Sequence, residues 1–247
     1  MNYTHELHKL LSLKFNCAPS DFISPTNVLT ESALHEGRRN YSEEKRFFHM
    51  VTTGGNAVIT AEKCLHPFLR EYMQNRTGHW LFELPNLLPL ESELNRYGYT
   101  LTQTYHLFLP KCEVMPKKEF SVKWFYDEQI HQFYGDERFP NAICSRFNPK
   151  RPDRIVVCAY KGEQIMGMAG CSEDAPHWQQ IGIDVMPEYR SMGVGTYLVT
   201  LLKQEIQRRG YIPFYGTSVS NYHSWNIAIN SGFRPAWVEI GAEKKQE

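Results

Sequence analysis

Between a predicted strand and a predicted helix lies a turn whose residues are suited to binding a phosphate group. It reads Arg190-Ser-Met-Gly193-Val-Gly195-Thr196, an R-x-x-G-x-G pattern. The first amides of a helix have no intrahelical partners and lie at the positive end of its dipole, so they attract anions. Gly193 and Gly195 leave the backbone open to a diphosphate, and Arg190 adds a cation or braces the turn. The alternative is an ordinary strand-to-helix turn.

This turn is neither of the two best-known phosphate-binding motifs. No Gly-Lys-Ser/Thr follows the glycines, as it would in a Walker loop, and the G-x-G-x-x-G of dinucleotide-binding folds is absent. A different phosphate-containing ligand is therefore expected.

Two ordered motifs resemble those of the GNAT superfamily of acyl-coenzyme A-dependent N-acetyltransferases. Residues 181–199, IGIDVMPEYRSMGVGTYLV, resemble its signature in which a strand leads through R/Q-x-x-G-x-G/A into a helix. Residues 221–233, NYHSWNIAINSGF, resemble its N-x-x-S-x-x-x-A-x-x-x-G-F motif. The interval between them accommodates one helix and one strand, and the resemblance covers roughly residues 120–241.

The resemblance implies a GNAT fold of the α/β (α+β) class, a mixed, mostly antiparallel, twisted sheet with splayed central strands flanked by helices. A smaller α/β domain would precede it. The cofactor would be acetyl-CoA, with its pantetheine arm paired to the backbone of Val185. Asn221 and Ser224 would bond the pantetheine amides or brace the splay, although Asn221 equally suits a helix N-cap. The diphosphate would lie beside Arg190 on the backbone of Ser191, Met192, Gly193, Val194, Gly195 and Thr196.

Acetyl transfer to an amine makes two chemical demands. An amine with a pKa of about 10.4 is mostly protonated near pH 7, so a base, a water path or desolvation must favour its neutral form. An oxyanion needs a hydrogen-bond donor, for which the Val185 amide is the candidate. Relatives often carry a glutamate base where this chain has Trp178-Gln-Gln180. Asp184 and Glu173 remain as candidate bases, with Asp174 beside the latter. Asp184 could instead be a structural carboxylate that bonds the next loop, and Glu173 and Asp174 could lie in a solvated turn.

The departing thiolate raises the question of an acid. Many relatives have a tyrosine in the helix of the second motif, but the aligned residue here is Ala228. Tyr215 or Tyr222 could take its place, and a coenzyme A thiol can also leave without an acid.

The elements that must position these residues can be read from the spacing of apolar side chains. Strands at 154–160 and 164–170 are predicted to form a hairpin, followed by a third strand at 178–185. Helical spacing begins at Val194 and continues to Ile206. A strand at 211–219, a helix at about 222–230 and a strand at 233–240 complete the prediction.

The first half of the chain is less informative. Residues 110–118, PKCEVMPKK, have the composition of a linker, so we place a boundary near residue 115 and predict domains of 1–115 and 116–247. Residues 56–61 and 79–84 are predicted as strands. Both halves end in helix, glycine and strand, which suggests that the first domain is a degenerate GNAT copy. Because it lacks R-x-x-G-x-G, we expect that it binds no second cofactor. It would instead form a wall of the acceptor site or mediate a homodimer.

Composition excludes several classes of protein. The 247 residues carry 27 Lys and Arg against 27 Asp and Glu, whereas a nucleic-acid binder normally has a basic surplus. No apolar run approaches the roughly 18 residues of a membrane span, and the amino terminus does not resemble a secretory signal. The six cysteines lack metal-ligand spacing, so no metal site is predicted and a cytoplasmic location is expected.

These observations predict an N-acetyltransferase in which a primary amine of a small molecule or peptide attacks acetyl-CoA directly in a ternary complex. Two alternatives remain open. The missing glutamate and tyrosine would suit a non-catalytic acyl-CoA sensor, and the doubled architecture would suit an aminoacyl transferase that uses aminoacyl-tRNA.

Overall fold

The computed structural model describes residues 2–39 and 44–245. In chain order the helices and strands are α1 (Tyr3–Phe15), β1 (Val28–Glu31), β2 (Phe48–Thr52), β3 (Ala57–Ala61), α2 (His66–Met73), α3 (Leu84–Asn95), β4 (Tyr99–Leu101), β5 (Tyr105–Pro110), β6 (Ser121–Tyr126), β7 (Asp153–Lys161), β8 (Gln164–Ala175), β9 (Trp178–Val185), α4 (Val194–Arg208), β10 (Ile212–Ser218), α5 (Tyr222–Asn230) and β11 (Phe233–Lys244). Within these described ranges, no helix is long and apolar enough to cross a membrane.

The chain divides into two compact units, Met1–His106 with Ala236–Glu247, and Leu107–Pro235. This division differs from the predicted boundary near residue 115, because the 110–118 segment belongs to the second unit and the end of the chain belongs to the first. Residues 238–241 pair with β2 and residues 242–244 pair with β4. Such pairing joins residues far apart in the chain, so no local composition reveals it.

In the first unit, the strand order of the sheet is β1-β3-β2-β11, and β4 also pairs with β11. β1 runs parallel to β3, and the remaining pairs are antiparallel. Apolar residues of β2, β3, α2 and α3 form one core, which includes Phe48, Ile59, Leu69, Leu90 and Ile240. That this unit is a degenerate copy of the second stays a prediction.

A buried ionic group joins α1 to β11 in the first unit. The Glu239 carboxylate accepts hydrogen bonds from Lys14 Nζ and Arg39 Nη1, each at 2.7 Å. His49 Nε2 lies 3.5 Å from the same carboxylate. All four side chains are almost completely buried, so these charges interact in a medium of low polarity.

The strand prediction for residues 79–84 is wrong. These residues form most of a 3-10 turn, Gly78–Phe82, and the start of α3. A short apolar run does not distinguish a strand from a buried turn or helix. Pro85, the second residue of α3, favours a helix start. Gly78 packs against β3, because a Cβ on Gly78 would lie 2.2 Å from the backbone nitrogen of Ala57.

In the second unit, the strand order is β5-β10-β9-β8-β7-β6. β6 to β9 form an antiparallel meander that includes the predicted β7–β8 hairpin, and β10 runs parallel to β9. One face packs on α4 and α5 through a core that includes Ile181, Leu198, Leu202, Tyr215 and Ala228. A 3-10 helix, Asp127–Phe133, and part of the loop after it cover the opposite face. The predicted mixed, mostly antiparallel sheet flanked by helices is confirmed.

Candidate functional site

The parallel pair β9 and β10 opens partway along its length. Pairing runs from Trp178 opposite Ile212 to Ile181 opposite Tyr215. Beyond this point β9 continues to Val185 and β10 to Ser218, and in the described part of the chain the two strands make no further pairs. The sheet therefore has a gap between its central strands, as the resemblance implies.

The register of β8 and β9 directs the Val185 backbone into this gap. The Met186 N–H donates to the Met166 carbonyl at 3.0 Å, and Val185 lies opposite Gly167. Hydrogen-bonded and non-hydrogen-bonded pairs alternate in an antiparallel ladder, so the N–H and C=O of Val185 point away from β8. Arg190 Nε donates to the Val185 carbonyl at 3.3 Å, which makes Arg190 the brace of the turn.

The turn that follows β9 presents amides at the start of α4. Ser191 and Gly193 have φ values of 62° and 94°, which bring the chain sharply into the helix. The first bond along α4 runs from the Tyr197 N–H to the Gly193 carbonyl at 3.0 Å. The amides of Val194, Gly195 and Thr196 precede this bond and are available to an anion.

The two glycines of the turn serve different purposes. Gly193 has a left-handed backbone, which favours glycine. Gly195 is required by packing, because a Cβ would lie 2.9 Å from Ile227 Cδ1 and 3.4 Å from Val185 Cγ2. The expectation that Gly195 clears a path for a diphosphate is therefore corrected, since its missing side chain would point at α5 and β9.

Asn221 and Ser224 lie at the start of α5. Asn221 Oδ1 accepts a hydrogen bond from the Ser224 N–H at 3.1 Å, the N-cap arrangement that the sequence left as an alternative. The Ser224 hydroxyl lies 2.6 Å from the hydroxyl of Tyr215. Burial raises the pKa of Tyr215 to about 12, and the charge of Asp184 adds to the rise. Tyr215 therefore stays protonated at neutral pH and orients Ser224.

Asp184 anchors a loop. Its Oδ2 accepts from the backbone N–H groups of Asn141 and Ala142, both at 2.8 Å, and its Oδ1 accepts from Asn141 Nδ2 at 2.7 Å. The loop lies against two glycines of the sheet, since a Cβ on Gly182 would be 1.8 Å from the Asn141 carbonyl oxygen and one on Gly170 would be 2.2 Å from that of Ala142. These contacts support the structural role of Asp184 over the catalytic one.

Glu173 is not brought to the gap. It lies opposite Gln179, and the six residues from there to Val185 extend about 20 Å along a strand. Its carboxylate accepts from Arg154 Nε at 2.8 Å. Its neighbour Asp174, expected in a solvated turn, is instead buried in β8 and accepts from the Ser172 hydroxyl at 2.8 Å. The candidacy of Glu173 as a base is corrected to that of an ion-pair partner.

Lys118 is a residue of this site that the sequence interpretation missed, because it lies in the segment assigned to a linker. Its Nζ donates to the Met192 carbonyl at 3.0 Å. No spacing rule points to it, since the contact joins residues 74 positions apart. In the described ranges, no cluster of His, Cys, Asp and Glu could hold a metal ion.

Comparison with known proteins finds a family similar to the second unit. The model of the acetyltransferase (GNAT) family matches residues 118–233. No curated protein matches the chain significantly.

Solved structures that resemble the chain include a putative GNAT acetyltransferase from Novosphingobium aromaticivorans, with 15% identity over 60% of this chain and 69% of that one and a TM-score of 0.48. A GNAT acetyltransferase from Colwellia psychrerythraea is 12% identical over 59% of this chain and 57% of that one, with a TM-score of 0.44. The putative acetyltransferase yncA from Salmonella typhimurium, solved with acetyl-CoA, is 17% identical over 39% of this chain and 66% of that one, with a TM-score of 0.31.

Proposed function

Because residues 118–233 match the acetyltransferase (GNAT) family, we propose that the chain is an acyltransferase that moves an acetyl group from acetyl-CoA to a primary amine. The acceptor is a small molecule or a peptide. Direct attack by the amine in a ternary complex is the proposed course.

The observation that carries this proposal is the gap between β9 and β10 together with the amides at its end. Val185 directs its N–H toward the gap, and α4 begins at Val194, after a segment that contains a 3-10 helix, Pro187–Tyr189. A linear ligand with an amide-containing arm and a diphosphate suits this order, because the arm can pair with a strand edge and the phosphates can lie on helix amides. Bound acetyl-CoA would supply the activated acyl group as a thioester.

The residues of the chain divide into those that bind and those that orient. The backbone of residues 191–196 would bind the diphosphate, and Val185 would pair with the pantetheine arm. The Val185 N–H would also stabilise negative charge on the acyl oxygen, a contribution of about 3 kcal/mol for one well-placed donor. Asn221 caps α5, and Tyr215 orients the Ser224 hydroxyl.

Neither predicted carboxylate is placed to accept the proton of the amine. Both oxygens of Asp184 accept hydrogen bonds from the 141–142 loop, and Glu173 is paired with Arg154. We therefore propose that the amine loses its proton to solvent and enters the gap in its neutral form.

A matched pair of variants tests the cofactor site. Gly193→Glu and Gly193→Gln impose the same backbone strain at a φ of 94° and add side chains of similar size, but only glutamate adds negative charge. We expect coenzyme A to bind the glutamate variant more than about tenfold more weakly than the glutamine variant, a difference of ~1.4 kcal/mol. Calorimetry measures the affinity, and circular dichroism checks the fold. Equal affinities would exclude this turn as the diphosphate site.

A non-catalytic acyl-CoA sensor is the second candidate, favoured by the buried Ala228 where relatives place an acid and by the occupied Asp184 carboxylate. Both functions predict cofactor binding. Release of thiol from acetyl-CoA with a panel of amines supports the transferase, whereas tight binding without release supports the sensor.

A further inference from the structure

A lysine outside the two sequence motifs lies on the turn that leads into α4. Lys118 precedes β6, and its ammonium donates to the Met192 carbonyl at 3.0 Å. Its side-chain stem passes over the same turn, because a Cβ placed on Gly193 would lie 3.7 Å from Lys118 Cδ. The lysine is exposed to solvent, so its charge can also reach a ligand.

The position of this charge is unfavourable without an anion. α4 is 15 residues long, and its N-terminal end carries a partial positive charge. Cations stabilise the opposite end of a helix, whereas here an ammonium lies beside the first turn. Among the described residues, the Met192 carbonyl is the hydrogen-bond acceptor of Lys118, and no carboxylate forms an ion pair with it.

Two sources of positive potential therefore converge on one short segment. The amides of Val194, Gly195 and Thr196 open on it from the helix, and the Lys118 ammonium approaches from the segment before β6. An anion between them would accept hydrogen bonds from both and would relieve their mutual repulsion. The arrangement suits a group with two adjacent negative charges better than a single carboxylate.

We propose that Lys118 is a binding residue for the diphosphate of coenzyme A, an inference that rests on the proposed function. Its ammonium supplies a charge-assisted hydrogen bond to a phosphate oxygen, and the amides of α4 supply the remaining donors. As a compact charge on a flexible stem, lysine binds phosphate without fixed geometry, so arginine at this position would preserve most of the interaction.

The neighbouring Lys117 provides a matched control. It is also exposed, has the same charge and precedes β6 by one residue more. Lys118→Gln and Lys117→Gln therefore change net charge equally, and a long-range effect of charge would appear in both. A direct contact with the diphosphate would appear in Lys118→Gln alone.

Three ligands locate the contact. Coenzyme A carries the diphosphate and a ribose 3′-phosphate, 3′-dephospho-coenzyme A retains only the diphosphate, and S-acetylpantetheine has neither. We expect Lys118→Gln to weaken binding of the first two ligands equally, by about tenfold, and to leave the third unchanged. Lys117→Gln should match the native protein with all three, and Lys118→Arg should bind within about twofold of it.

Calorimetry at two salt concentrations measures these affinities, and the loss in Lys118→Gln should shrink as salt rises. The inference is overturned if Lys118→Gln binds coenzyme A as the native protein does, or if the loss appears with coenzyme A but not with its 3′-dephospho form. If the native protein binds none of the ligands, the proposed function itself fails. If the native protein binds coenzyme A and Lys118→Gln binds it equally well, only the inference about Lys118 fails.

Discussion

Replacing Asp184 separates a loop anchor from a catalytic base. Three N–H groups of the 141–142 loop donate to its carboxylate at 2.7–2.8 Å. Hydrogen bonds to charged groups contribute ~1.5–3 kcal/mol each when buried. Because two of these bonds are exposed and the third is only partly buried, we take about 1 kcal/mol for each bond. Asp184→Ala should therefore lower the free energy of unfolding by ~3 kcal/mol and the Tm by about 6–12 °C.

Asp184→Asn should behave differently. One side-chain oxygen can keep the two backbone donors of Asn141 and Ala142, and Asn141 can rotate its amide to accept from the new NH2 group. The expected loss of stability is ~1 kcal/mol. If Asp184 is an anchor, this variant retains most of its turnover and its affinity for acetyl-CoA.

Thermal unfolding by calorimetry and release of thiol from acetyl-CoA distinguish the two roles. A general base contributes about 10²–10⁴-fold to the rate, so under that role both variants would lose turnover by this factor. An asparagine variant with nearly native Tm and more than about a hundredfold loss of turnover would refute the anchor role. It would also refute the proposal that solvent takes the proton.

Two further predictions concern stability. Gly182→Ala places a Cβ 1.8 Å from the Asn141 carbonyl oxygen and should lower the free energy of unfolding in urea by ~3 kcal/mol. In the control Gly216→Ala the nearest neighbour of the Cβ lies at 3.5 Å, so the loss should be under ~1 kcal/mol. Equal losses would contradict the described loop contact. Although burial acts to raise it, the charges of Lys14 and Arg39 hold the pKa of Glu239 below its usual 4.5. The stability that the Glu239 carboxylate contributes above pH 4.5 should therefore be lost as the pH falls, at ~1.4 kcal/mol of unfolding free energy per pH unit below 4.5. Glu239→Gln should flatten the dependence of the unfolding free energy on pH in that range.

The sequence predicts the elements around the motifs well because their signals are local. Helical spacing from Val194 to Ile206 and the turn ahead of it identify α4 within a residue of its observed start. Alternation along 178–185 identifies β9. The helix and strand that follow also lie where the spacing places them, and the family motifs add that the two central strands separate.

The roles of individual side chains were harder to predict because they depend on partners distant in the chain. Asp184 looked like a base beside the gap, but its carboxylate bonds residues 42 and 43 positions earlier. Lys118 looked like part of a linker, but it bonds Met192. The residue types predict the charge of these side chains. The role of each charge depends on the groups that the fold brings next to it.

The sequence by itself determined the α/β class and the strand-turn-helix of the second unit, because period, glycine position and motif spacing act over a few residues. The tertiary structure decided where the units divide, why Gly195 must be small and which carboxylates are occupied. Each of these depends on the close approach of segments such as β11 and β2, or Asn141 and Gly182, that are joined only through folding. Spacing along a chain carries no information about such contacts, because the side-chain periods of helices and strands describe faces and not the partners that cover them.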